Sequence, residues 1–141
     1  MSDGPAPAPP AGGFDEHLPR IAWLVQQALI HQAAARQVAC QLADLGCIEP
    51  ALLPRSGLPH LADLQERMVA LEARAERAWG EVRRLGGRVA DRELGFVDYP
   101  ATVGGREVVL CWQLGEETAD HWHERGEPCR ERRPIETEPH G

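Results

Sequence analysis

Among the side chains of the second half that could bind a metal ion or move a proton, six stand out: Asp98, Cys111, Glu116, His121, His123 and Cys129. Thiolate, imidazole and carboxylate together suit a borderline divalent cation such as zinc. Residues two apart on a strand share a face, so His121 and His123 would offer two imidazoles to one ion. The expected centre is Asp98, Cys111, His121 and His123, with Cys129 as a further thiol within the same stretch. An open position on such an ion would let a bound water act at neutral pH. The same residues also have a purely structural reading. Cys111 would be a small buried hydrophobe, Asp98 a carboxylate bonded to turn amides ahead of Pro100, Glu116 a turn cap, and His121 a solvent-facing ring.

Other chemistries find less. The only serines are Ser2 and Ser56, both in expected tails or loops, which leaves no serine nucleophile. Gly104-Gly105 is too short to cradle a phosphate. A cysteine nucleophile would need Cys111 beside His121 or His123, and strand alternation does not say which face of the sheet is wet.

These residues must be positioned by a short antiparallel meander. Stretches at 88–90, 96–99, 106–113 and 118–123 are rich in strand formers and separated by turn residues, with Pro100 closing one and Gly104-Gly105 supplying a tight connection. Along 106–113, Val108, Leu110 and Trp112 face one way and Glu107, Val109 and Cys111 the other.

Ahead of the meander lies a helical hairpin. Ile21, Leu24, Ala28, His31, Ala35, Val38, Leu42 and Leu45 alternate steps of three and four, as do Leu61, Leu64, Met68, Leu71, Ala75, Ala78, Val82 and Leu85. Two seams of equal length predict an antiparallel, coiled-coil-like pair joined by a loop over 46–60. In that register Leu45 meets Leu61, Val38 meets Met68, Ala28 meets Ala78 and Ile21 meets Leu85. The Ala28–Ala78 and His31–Ala75 layers are thin, so the helices must approach there or admit another side chain. His31 is read as a histidine at the edge of the hairpin. The first helix starts either near Asp15 or at Pro19. It is also apolar beyond its seam, at Ala22, Trp23, Val25, Leu29 and Ile30, which calls for a third packing surface: the β half or a second copy of the chain.

Composition bounds the rest. A chain of 141 residues can bury a sizeable core without a staple. No apolar run approaches the roughly 18 residues of a membrane helix, and four scattered cysteines suit a reducing, cytoplasmic setting. The net charge of −7 argues against nucleic acid as a partner. The acidity belongs to the second half, since 14–87 carry nine acidic and eight basic residues and 88–141 carry twelve and seven. The Arg-rich stretch 125–133 is interleaved with glutamates and reads as a solvated tail.

One resemblance can be named. Gly95-Phe96-Val97-Asp98-Tyr99-Pro100, Gly105-Arg106, Leu110-Cys111-Trp112-Gln113-Leu114-Gly115-Glu116 and Trp122-His123, with Leu18-Pro19 opening the first helix, resemble the prokaryotic domain-of-unknown-function family 2203 over nearly all of 14–135. Its members follow the Trp-His pair with a glycine and an aromatic; here Gly126 precedes Glu127, although Arg133-Pro134-Ile135 fits the family's ending. The resemblance implies a shared fold and carries no chemistry.

The expected architecture is α+β. A single domain over 14–133 comprises a long helical hairpin (14–87), a small antiparallel β meander (88–123) and a loop (124–133), between disordered tails at 1–13 and 134–141. Two functions stay open. One is a small cytosolic module that self-associates as a homodimer through the first helix. The other is a divalent-metal-dependent enzyme or metal sensor using the β half.

Overall fold

A computed structural model describes residues 12–46 and 57–135. Helix α1 runs over Gly12–Gly46 and helix α2 over Gly57–Arg84. A five-stranded antiparallel sheet follows, its strands adjacent in chain order: β1 Arg88–Asp91, β2 Phe96–Val103, β3 Arg106–Gln113, β4 His121–His123 and β5 Arg133–Pro134. A single 3-10 turn, Cys129–Glu131, lies in the segment joining β4 to β5. The architecture is α+β, as expected. Among the described residues no helix is long and apolar enough to cross a membrane.

Every seam position from Ile21 to Leu45 and from Leu61 to Leu85 is buried or half-buried, so the heptad spacing does mark the contact between the helices. The far end of the hairpin holds its own cluster of Ala35, Val38, Leu64 and Leu71, with Leu42, Leu45 and Met68 packed against it. The near end is shared with the sheet: Ile21, Leu24, Val25 and Ala28 of α1 and Ala78, Trp79 and Val82 of α2 meet the inward side chains of β2, β3 and β4. The third surface that α1 called for is therefore the β half, and Trp23 and Ile30 are left about half exposed, at 49% and 51%.

Trp79, outside the seam pattern, is fully buried beside the thin alanine layer. Its indole N–H donates to Gln32 Oε1 at 2.6 Å, and Gln32 Nε2 donates to the Arg92 carbonyl at 2.9 Å, so one glutamine ties both helices to the β1–β2 turn. His31 is half-buried on the hairpin's edge, in a groove it shares with Trp23 and Arg77.

Several boundaries differ from expectation: β4 covers only 121–123 of the expected 118–123, and β5 is a strand where a loop and tail were expected. Helix α1 begins at Gly12, ahead of Asp15, and carries Pro19 inside it; Phe14 is fully buried and stacks on Tyr99 with ring centroids 4.7 Å apart, which anchors the turns before the proline. Helix α2 begins at Gly57, within the expected loop, with Pro59 in its first turn where a missing N–H costs little. Strand β2 does not stop at Pro100 but continues to Val103, paired with β3 throughout. Pairing with β1 ends at Asp98, so Pro100 lies on a stretch with one free edge, where a proline is tolerated. The expected tails fall outside the described residues at 1–11 and 136–141, whereas β5 includes Pro134 and Ile135 packs against the core.

Helix α2 ends as its glycines require. Gly86 takes φ +99, its N–H bonds to Arg83 O at 3.0 Å, and the Gly87 N–H reaches Val82 O at 3.0 Å, a Schellman closure. A Cβ on Gly86 would lie 2.8 Å from the Tyr99 ring, so this turn also sets the sheet against the hairpin.

Candidate metal centre

The sheet has an inner face against the helices and an outer face against the chain's last stretch. Val97, Tyr99 and Ala101 of β2 are buried inward, as are Val108, Leu110 and Trp112 of β3 and Trp122 of β4. Strand alternation sends Asp98, Cys111 and His123 outward. Asp98 and Cys111 are direct cross-strand partners, and His123 pairs with Val109, two residues along β3 from Cys111.

Over this outer face folds a strap of residues 124–135. Arg132 fastens it, donating to the Cys111 carbonyl at 3.2 Å and to Glu116 Oε1 at 2.8 Å, with its guanidinium 5.2 Å from the centroid of Phe96. Glu116 also accepts the Gln113 N–H at 2.7 Å, the turn-capping role expected of it. Arg133 pairs with Glu127 at 2.9 Å and lies 4.7 Å from the Trp122 ring centroid, and the Ile135 N–H closes on Asp120 O at 2.8 Å. The Arg-rich stretch is thus a fastened cover and not a solvated tail.

The strap brings Cys129 to the cluster. One ligand-type atom from each of Asp98, Cys111, His123 and Cys129 lies within 4.8 Å of the other three. His123 Nε2 stands 3.3 Å and Cys129 Sγ 3.6 Å from Asp98 Oδ1. Tetrahedral zinc with bonds of about 2.0–2.3 Å separates its ligands by about 3.3–3.8 Å, so these spacings need little adjustment. His121 goes elsewhere: its Nδ1 is 3.1 Å from Asp120 Oδ1 and 3.5 Å from Glu116 Oε2, in a second, more exposed group. It does share a face with His123, but two strand residues are about 6.6 Å apart, enough to separate the rings into different surroundings. Of the four expected ligands three converge, and Cys129 takes the fourth place.

The electrostatics of the cluster is unusual. His123 is 3% exposed, and its Nδ1 lies 2.8 Å from the Glu124 carbonyl, which can only accept. Nδ1 is therefore the protonated nitrogen, and in the neutral ring Nε2 presents a lone pair to the Asp98 carboxylate. Two acceptors face each other there unless a proton or a metal ion lies between them. Burial pushes the Cys111 thiol far above its ordinary range, with Cys129 and Asp98 adding to the rise. Burial likewise raises Cys129. With no cation present both sulfurs stay protonated. A fully buried Cys111 held as a thiol is poorly suited to act as a nucleophile, although His123 is near it.

Comparison with known proteins places the chain as a whole. A family model described as an uncharacterized conserved protein family, DUF2203, matches residues 14–135. The chain belongs to DUF2203. No curated protein and no solved structure matches it. The match to DUF2203 spans both helices and the whole strap, so all four converging residues lie within the family's domain.

Proposed function

We propose that this DUF2203 chain is a metal-binding protein that holds a zinc-class divalent ion between Asp98, Cys111, His123 and Cys129. The observation that carries the reading is the convergence of four ligand-type atoms from three strands and the strap, within 4.8 Å of one another, on a largely buried face. Without an ion the groups contact one another in pairs, and one ion would engage all four at once. It would lie between the His123 Nε2 lone pair and the Asp98 carboxylate, in the place that a proton occupies when the two are hydrogen-bonded. The Glu124 carbonyl fixes the tautomer, as second-layer acceptors commonly do for metal-bound histidines. Two thiolates and one carboxylate leave a divalent centre with one excess negative charge, beside the Arg132–Glu116 ion pair that fastens the strap.

Elemental analysis of the full-length chain, purified without a polyhistidine tag and dialysed, tests this. Stoichiometric zinc is expected in the wild type and its loss in Cys111→Ser with Cys129→Ser. A wild type with trace metal only, or a double variant that keeps its ion, would overturn the assignment.

Self-association is the second reading, and its support is the exposure of Trp23 and Ile30, seven residues apart on α1. Light scattering at low micromolar concentration is expected to give a dimer mass for the wild type and a monomer mass for Trp23→Glu with Ile30→Glu. A monomeric wild type would remove this reading.

A further inference from the structure

The four residues are unequally sheltered. Cys111 and His123 are closed in on all sides, at 0% and 3% exposure. Asp98 and Cys129 instead form part of the wall of an open cleft of about 690 Å³, a volume within the range of small-molecule sites. Leu94, Phe96 and Gln113 also line it, with Pro128 and Arg130 from the strap. Two further carboxylates border it and both are engaged: Asp91 by the Glu93 and Leu94 N–H groups, and Glu127 by Arg133 and the Glu124 N–H. Leu94 is 57% exposed, one of the few large apolar side chains left uncovered among the described residues, and it lines this cleft.

We infer that this cleft is a small-molecule site on the metal, taking a ligand with an anionic oxygen- or sulfur-donor head that displaces Asp98 from the ion and an apolar body that lies against Leu94 and Phe96. The inference rests on the metal reading above and specifies which side of the centre opens. Among the four residues the carboxylate is the hard donor, and a zinc-class ion holds thiolate and imidazole in preference to it. Asp98 is also on the cleft side, with its side chain 16% exposed against 3% for His123. An incoming anion replaces its charge one for one, so the net charge of the centre is kept. With Asp98 swung away, Cys111, His123 and Cys129 remain, the three-protein-ligand arrangement of zinc sites that accept an exogenous ligand.

Cobalt substituted for zinc in the full chain makes the coordination visible, because its visible absorption bands respond to any change of ligand. Benzohydroxamate, an anionic oxygen-donor head on an aromatic body, is the probe. Saturable band shifts are expected, with cobalt still on the protein after gel filtration. Leu94→Asp should keep its cobalt bands and bind the probe about tenfold more weakly, the scale of one lost apolar contact. Asp98→Ala should bind it more tightly, since the carboxylate no longer competes. Cobalt bands that the probe does not move would mean a closed, structural centre and overturn the inference while leaving the metal reading intact. So would bands that vanish as cobalt leaves with the probe, equal affinity in Leu94→Asp, or weaker binding in Asp98→Ala. Failure to retain cobalt at all would instead overturn the metal reading.

Discussion

The two faces of one sheet are buried in opposite ways. Inward, β2, β3 and β4 present Val97, Tyr99, Ala101, Leu110, Trp112 and Trp122 to a pair of long helices, and this face is apolar throughout. Outward, the alternate residues of the same strands present Asp98, Cys111 and His123, covered by a strap with little regular structure and no apolar layer of its own. Burial of the inner face needs no special explanation, because removing hydrocarbon from water drives it. Burial of the outer face does, because desolvating a carboxylate and an imidazole opposes folding unless a partner compensates. The inner face makes the fold, and the outer face gathers the residues of the candidate site.

The largest expected effect breaks the inner face. Trp112→Ala removes a fully buried indole and should cost about 3–5 kcal/mol, read as a lower denaturation midpoint that added zinc does not restore. A change under about 1 kcal/mol would mean that the helices do not depend on the sheet.

Next comes the outer face. Saturating zinc at about a hundred times its dissociation constant should stabilise the wild type by about 2.7 kcal/mol, and a chelator should reverse the gain. Cys111→Ser with Cys129→Ser should show no such response. The sign of the pH dependence follows from the raised thiols: both are protonated in the metal-free fold, so binding releases their protons and is favoured as pH rises. Below the range in which the thiols ionise, affinity should grow roughly a hundredfold per pH unit, for two protons released. A pH-independent affinity would place the ion on other ligands.

The seams and the first four strands could be read from the sequence because each has a pattern, whereas β5, two residues long, has none. Spacings of three and four sustained from Ile21 to Leu45 leave one helix face to bury, and alternation along β3 leaves two faces to assign. Trp79 and Phe14 escaped because a single aromatic outside a seam has no period, and their burial depends on where Tyr99 and Gln32 come to lie. The site was half legible. Residue types marked out ligand chemistry with a structural alternative beside it, and the strand pattern put Asp98, Cys111 and His123 on sheet positions. The exchange of His121 for Cys129 was hidden because the strap has no pattern; its path is set by Arg132, Glu116 and the Ile135 N–H, contacts between residues far apart in the chain.

A smaller effect sharpens the comparison at that strap. Arg132→Met keeps most of the stem against Phe96 and removes the bonds to Glu116 and Cys111. It should cost about 1–3 kcal/mol and make backbone amides of 124–135 exchange faster, while those of the hairpin's far end are unchanged. Uniform acceleration would show that the strap and the core open together.

The central claim is the identity of the ligands, and X-ray absorption at the zinc edge of the wild-type protein reads them directly. The expected first shell holds two sulfurs at about 2.3 Å and two nitrogen or oxygen donors at about 2.0–2.2 Å. A shell of nitrogen and oxygen alone would contradict the assignment, because no zinc bound by Cys111 and Cys129 can lack sulfur.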